Sequence, residues 1–251
     1  MATFVLVHGG GHGAWCWDRL APLLRDKGNE VHIPTLAGVG ERFGEITPNT
    51  SLSTHIDEIV SLIVSNDLGN VFLVGHSYGC MVITGVAGKI PDRVAELIFL
   101  DGPHPRDGEC LADASPGMRA ILGPQMRVVD GVELVLFPTP ETMNIYGIRE
   151  PEDVAWAGPK LTPHPWKCFL EPLRLEHDEE MRAIPRTSID CLESGARRDP
   201  EMVSRSLQAD RRWELETGHD LMISEPRAVA EIPQEVANDP VGKTAKQSDG
   251  V

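Results

Sequence analysis

Ser77 lies in Gly75-His76-Ser77-Tyr78-Gly79, a G-x-S-x-G pentapeptide that follows the apolar run 71–74 and precedes the helix-compatible stretch 80–88. Strand, tight turn and helix is the setting in which such a serine becomes a nucleophile. Glycines at both ends omit side chains that would collide where strand and helix pack closely. The turn between them forces Ser77 into a strained backbone conformation that lifts its hydroxyl clear of a sheet. A serine hydroxyl attacks poorly unless a base takes its proton. The candidate base is His219, in Glu216-Thr217-Gly218-His219-Asp220 just beyond the last predicted strand. The negative oxygen of an acyl-transfer intermediate needs backbone donors already in place. The amide of Tyr78 is one candidate, and Gly10 in the loop His8-Gly9-Gly10-Gly11-His12-Gly13 is the other.

The same loop admits two other readings. Gly9-x-Gly11-x-x-Ala14 between a strand and a helix is a loose dinucleotide fingerprint, but that use wants an acidic residue at the end of the next strand, where Ile33-Pro34-Thr35 stands. His8 and His12 are four apart but flank a loop with no third ligand in view, so neither a metal nor a cofactor is expected. Among the remaining histidines, His76 reads as a structural neighbour of the serine, and His32, His55 and His177 as ordinary surface or loop residues.

These residues need a frame. The stretch 3–8 is a continuous apolar strand, and 17–26 carries Leu20, Leu23 and Leu24 on one helical face before Gly28 stops it. A short strand at 30–33 is closed by Pro34. A helix at 54–68 sets Ile56, Ile59, Val60 and Ile63 at core-facing spacing. After the elbow comes a strand at 94–100. Such alternation predicts an α/β fold with a doubly wound, mostly parallel sheet, whose reactive groups gather beyond the carboxyl ends of strands. From 103 to 185 prolines are frequent and helical pieces short, which reads as an inserted helical cap. The alternation returns with a strand at 187–191, a helix at 201–208, a strand at 212–216 and a last helix from Glu225. The expected division is a core of 1–102 and 186–240, a cap of 103–185, and a frayed polar tail at 241–251.

A formal net charge of −15 disfavours a nucleic-acid or anionic-membrane partner, since either wants a basic face. Five cysteines without a CxxC pair fit a reduced, intracellular protein. With a strand predicted from Thr3, no signal segment is expected, and no apolar run reaches transmembrane length. A cytoplasmic location follows as the expectation.

The motif Val7-His8-Gly9-Gly10-Gly11-His12-Gly13-Ala14-Trp15 with Trp17, the serine pentapeptide and Gly218-His219 together resemble the plant methylesterase and hydroxynitrile lyase family and its bacterial esterase relatives. The resemblance covers most of residues 2–235, loosely in the cap. It implies an α/β-hydrolase fold in which the serine precedes the histidine along the chain. It also implies a helical cap over the serine, no cofactor, and small esters or cyanohydrins as substrates. The lyases of that family resemble one another in a threonine after the first-strand histidine and a lysine after the catalytic one. Here Gly9 and Asp220 stand there, and an aspartate would oppose departing cyanide. The expectation is therefore a serine esterase acting on small, mostly apolar carboxylic esters through an acyl-enzyme. A lactone or amide substrate, the lyase reaction and a non-catalytic ligand receptor are the alternatives. The expected partner is the small-molecule ester, and a homodimer is compatible with the sequence.

In the plant relatives the acid of the triad lies in the loop after the strand that reads Ser188-Ile189-Asp190-Cys191. Alignment on Cys191 puts Ser194 at that place, with Glu193 beside it and Asp199 farther on. The fold's other location for the acid is the end of the strand after the elbow helix, where Asp101 stands. Asp101, Glu193 and another acid, or a dyad without one, stay open at this point, with Asp101 preferred. A turn cap in Asp101-Gly102-Pro103 would account for the aspartate as well. Trp156 and Trp166 in the cap are candidate pocket walls, although packing of the cap's own helices explains them equally.

Overall fold

The computed structural model describes residues 1–115, 117–195 and 199–239. Six strands alternate with helices as the periodicity predicts. In chain order the first part runs β1 (Thr3–Val7), α1 (Ala21–Arg25), β2 (Glu30–His32), α2 (Leu52–Ser65), β3 (Val71–His76), α3 (Gly79–Lys89) and β4 (Val94–Leu100). The helix expected over 17–26 begins as a 3-10 turn at Ala14–Trp17 and becomes α-helical only at Ala21. In α2 the Ser51 side chain accepts the Thr54 amide, and Leu52, Ile56, Ile59 and Ile63 form the buried stripe. Every residue of β3 is buried, as a central parallel strand requires.

The segment that follows β4 holds α4 (Leu111–Ala114), α5 (Gly117–Leu122), β5 (Arg127–Val129), β6 (Val132–Val135), α6 (Pro140–Tyr146), α7 (Pro151–Ala157), β7 (His164–Pro165), α8 (Lys167–Leu170) and α9 (Asp178–Arg182). It is not purely helical: β5, β6 and β7 form a small antiparallel sheet. The signal for its hairpin is Asp130-Gly131, with φ of 50° and 80°, the left-handed pair that a two-residue turn demands. The chain then returns through β8 (Arg186–Cys191), α10 (Leu192–Gly195), α11 (Pro200–Ser206), β9 (Arg211–Leu215), α12 (Leu221–Ser224) and α13 (Pro226–Asn238). The polar stretch 241–251 and the side chain of Ser194 lie outside the described residues.

The large sheet has the order β2-β1-β3-β4-β8-β9, parallel throughout. Two apolar layers sandwich it. One, with Ile56, Ile59, Met81 and Val86, packs α2 and α3 on one face; the other, with Trp17, Leu24, Met222 and Val229, packs α1, α12 and α13 on the opposite face. Register decides what emerges at the carboxyl edge. His76 pairs with Leu100, Leu100 with Ile189, and Cys191 with Leu215. The next residues of β3 and β4 are Ser77 and Asp101, and His219 follows β9 by four residues. No helix among the described residues is long and apolar enough to cross a membrane.

Candidate active site

Ser77 and Asp101 both occupy the left-handed region, with φ of 52° and 44°. Such backbone costs on the order of 1–3 kcal/mol per residue and persists only where the surroundings over-determine it. They do so here by continuing the sheet into the turns: the Ser77 amide donates to the Leu100 carbonyl at 3.0 Å, and the Asp101 amide to the Ile189 carbonyl at 2.8 Å. The close approach behind the serine demands glycine at position 79, where a Cβ would lie 2.4 Å from the Val7 carbonyl oxygen. Ser77 thus stands on a turn between β3 and α3, half-buried at the edge of a cavity of about 290 Å³.

Asp101 is buried and holds His219. The His219 Nδ1–H donates to Asp101 Oδ2 at 2.5 Å, while Asp101 Oδ1 accepts the Cys191 amide at 2.9 Å. Ser77, Asp101 and His219 all border the same cavity. Glu193 and Asp199, the other two carboxylates considered, also reach its rim, but each has another occupation. Glu193 pairs with Arg149 at the surface, and Asp199 caps α11 through the Glu201 amide at 2.8 Å.

Gly10 and Tyr78 border the cavity beside the serine. Tyr78 is at the N-terminus of α3, where amides lack intrahelical acceptors and the helix dipole favours negative charge. The peptide that carries the Gly10 amide is held by a residue the sequence reading assigned no such part. His8 Nδ1–H donates to the Gly9 carbonyl at 2.9 Å, and its Nε2 accepts the Leu36 amide at 3.1 Å. Burial holds the His8 pKa down at about 3, so the ring stays neutral in that tautomer. His55 is not a surface residue as expected. It is fully buried in α2, donates from Nε2 to the Ala37 carbonyl, and accepts the Tyr78 hydroxyl at Nδ1 at 2.8 Å, anchoring that side chain under the elbow. His32 is partly exposed and His177 exposed, as read. His76 is buried and donates from Nε2 to the His219 carbonyl at 3.0 Å, its ring 4.7 Å from that of His219.

Neither tryptophan walls the cavity. Trp156 packs against Trp15, Arg19 and Lys160, and Trp166 is buried against Phe169. Apolarity alone does not separate a pocket lining from a core. The wall is built instead by Leu111, Met118, Leu122, Leu136, Phe169 and Met202. Leu136 is held at φ 57° just after β6, so the small sheet missing from the sequence reading delivers a wall residue.

Five of the six buried histidines give the fold a pH signature. Burial lowers the pKa of His8 and His104 to about 3, and lowers those of His55, His76 and His164 as well. In the unfolded chain each titrates near 6.5. Below that pH the unfolded state binds protons that the native state refuses, so stability falls as pH falls. Each histidine contributes up to about 1.4 kcal/mol per pH unit in this window. Calorimetric unfolding in buffers of different ionisation enthalpy at pH 5.5 is expected to register uptake of several protons, with a melting midpoint well below that at pH 7.5. Uptake of less than one proton would contradict the burial of these rings.

A model of the alpha/beta hydrolase family matches residues 4–232. The chain belongs to the alpha/beta hydrolase family. Among curated members of the family it is 46% identical over 116 residues to a carbendazim hydrolyzing esterase of Nocardioides sp. (strain SG-4G), a match that covers 46% of this chain and 48% of that one. It is 29% identical over 209 residues to methylesterase 1 of Arabidopsis thaliana, covering 77% and 78% of the two chains. The chain spans about half the length of the first of these relatives. Among solved alpha/beta hydrolases, an extracellular enzyme from a Paenibacillus species superposes with a TM-score of 0.81 at 26% identity, covering 95% of this chain and all of that one. A methylesterase from Arabidopsis superposes with a TM-score of 0.75 at 25% identity, covering 95% and 99%.

Proposed function

We propose that this alpha/beta hydrolase is a serine esterase that cleaves small, mostly apolar carboxylic esters through an acyl-enzyme. The observation that carries the reading is the Asp101–His219 hydrogen bond on the cavity that Ser77 borders. Asp101 fixes the proton on Nδ1, and His219 takes the Ser77 proton at Nε2 as Oγ attacks the ester carbonyl. The Gly10 and Tyr78 amides receive the resulting oxyanion. Collapse expels the alcohol, which carries away the proton held by His219. Water then repeats the sequence on the acyl-enzyme and frees Ser77 and the acid. The apolar wall of Leu111, Met118 and Leu122 suits an uncharged acyl group. The esterase and methylesterase names of the relatives support ester hydrolysis. The lyase reading is disfavoured because Asp220 is buried behind His219 and presents no cation to a leaving group. Five buried cysteines, with no disulfide among the described residues, support a reducing, cytoplasmic location.

Incubation with a fluorophosphonate is expected to add one phosphonyl group at Ser77, read by peptide mass spectrometry. The protein should also hydrolyse p-nitrophenyl and methyl esters in a panel that includes carbendazim. A chain that stays unlabelled and turns over no member of the panel would be a receptor on a hydrolase fold.

A further inference from the structure

Asp220 directly follows His219, yet its side chain turns away from the cavity. It is 2% exposed, and its Oδ2 meets His12 Nε2 at 2.9 Å, with His12 fully buried. Neither residue borders the cavity. His12 Nδ1–H donates to the Gly10 carbonyl at 2.8 Å, because a carbonyl only accepts. The same carbonyl accepts the Tyr146 hydroxyl at 2.8 Å, and the Tyr146 carbonyl in turn accepts the Asp220 amide at 2.8 Å. Four hydrogen bonds therefore close a ring through Gly10, His12, Asp220 and Tyr146. The ring ties together three segments distant in sequence: the glycine loop after β1, the end of α6, and the turn that carries His219. The His12 ring is also packed in place, 5.3 Å from Trp15 and 4.8 Å from Tyr146 between centroids.

A buried aspartate–histidine pair is a poor way to gain stability, since well-packed apolar side chains of similar volume serve as well or better. What such a pair does supply is fixed distance and direction. Here the two objects it joins are the loop that presents the Gly10 amide and the turn that presents the His219 imidazole.

We infer that His12 and Asp220 are positioning residues for the ester hydrolysis, a buried clamp that sets the separation of oxyanion donor and base on either side of Ser77. The inference rests on the serine-esterase reading above. Misplacing reacting groups by about 1 Å from a distance can lower a rate by about a hundredfold.

The test uses the whole chain, p-nitrophenyl acetate as substrate and fluorophosphonate labelling to count active sites. Wild-type protein must first label at Ser77; if it does not, the esterase reading itself fails and the clamp is not what is at fault. With labelling established, Asp220→Asn and His12→Gln are each expected to lower kcat per labelled site by about tenfold to a hundredfold, with KM within about threefold. The double variant should be hardly worse than the more damaging single one, because the two residues act as a unit. Tyr146→Phe removes one link without touching a charge and should lower kcat per site by about tenfold, which keeps the test open where a charge variant fails to fold. A kcat per labelled site within twofold of wild type in any folded variant of the pair overturns the clamp. So does a loss confined to the number of labelled sites, which is what a purely structural role would give.

Discussion

Ser77→Ala is expected to lower kcat for ester hydrolysis by about 10⁴–10⁶ and to leave the fold in place. The strain at position 77 belongs to the backbone, with φ 52°, and alanine meets the same steric cost there as serine. The amide of residue 77 still reaches the Leu100 carbonyl, so the turn keeps the contact that holds it. The lost hydroxyl sits on the cavity edge, where water replaces its contacts and no buried polar group is orphaned. The melting midpoint therefore moves by a few degrees at most, since surface changes of this kind are worth about 0.5 kcal/mol or less. His219→Ala should match this loss, and the double variant should add little, because a nucleophile without its base is already idle. Initial rates on p-nitrophenyl acetate, paired with circular dichroism, check all three. Retention of more than about a tenth of wild-type turnover in folded Ser77→Ala would remove Ser77 from the role of nucleophile.

Why these residues could be read from the sequence, and others could not, follows from how far each signal travels along the chain. The elbow is local: the glycines, the serine, the strand before and the helix after all lie within 71–89, and the close approach of position 79 to Val7 is a requirement that glycine alone meets. His219 and Asp101 can be placed as candidates because parallel register sets strand ends side by side; Asp101 follows the clearly apolar β4, whereas His219 follows the mixed strand β9. The parts played by His8, His12 and His55 are not legible in this way. A histidine's role is set by what its two nitrogens touch, and for each of these three at least one partner lies 18 to 208 residues away, as with Ala37, Leu36 and Asp220. Asp220 shows the limit most plainly. By sequence it stands where it would face a departing group, yet its side chain turns to His12. The tryptophans fail for a different reason, since a large apolar side chain fills a core as readily as it lines a pocket. The hairpin at Asp130-Gly131 was available as a turn signal, but the surrounding prolines and short helices masked two strands of three and four residues.

Asp101→Asn is expected to lower kcat by up to about 10⁴, and Glu193→Gln to leave it within about twofold. The difference follows from the hydrogen bonds each carboxylate makes. Asp101 uses one oxygen for the Cys191 amide and the other for His219 Nδ1–H. In the asparagine variant a single oxygen remains. The Cys191 amide, a fixed donor from the end of β8, needs that oxygen, which turns the side-chain NH₂ toward His219. An NH₂ only donates, so Nδ1 must become the acceptor and the ring proton moves to Nε2. That nitrogen can then no longer take the Ser77 proton, although every atom sits close to its original place. Glu193 has no comparable hold. It pairs with Arg149 where both side chains are roughly half exposed, an arrangement worth about 0–1 kcal/mol. Measured kcat at a pH where wild-type activity is maximal, with fluorophosphonate labelling rates alongside, separates the two carboxylates. If Asp101→Asn stays within tenfold of wild type, or Glu193→Gln is the more damaging change, the acid is not Asp101. The short bond to His219 would then be only a cap on the turn after β4.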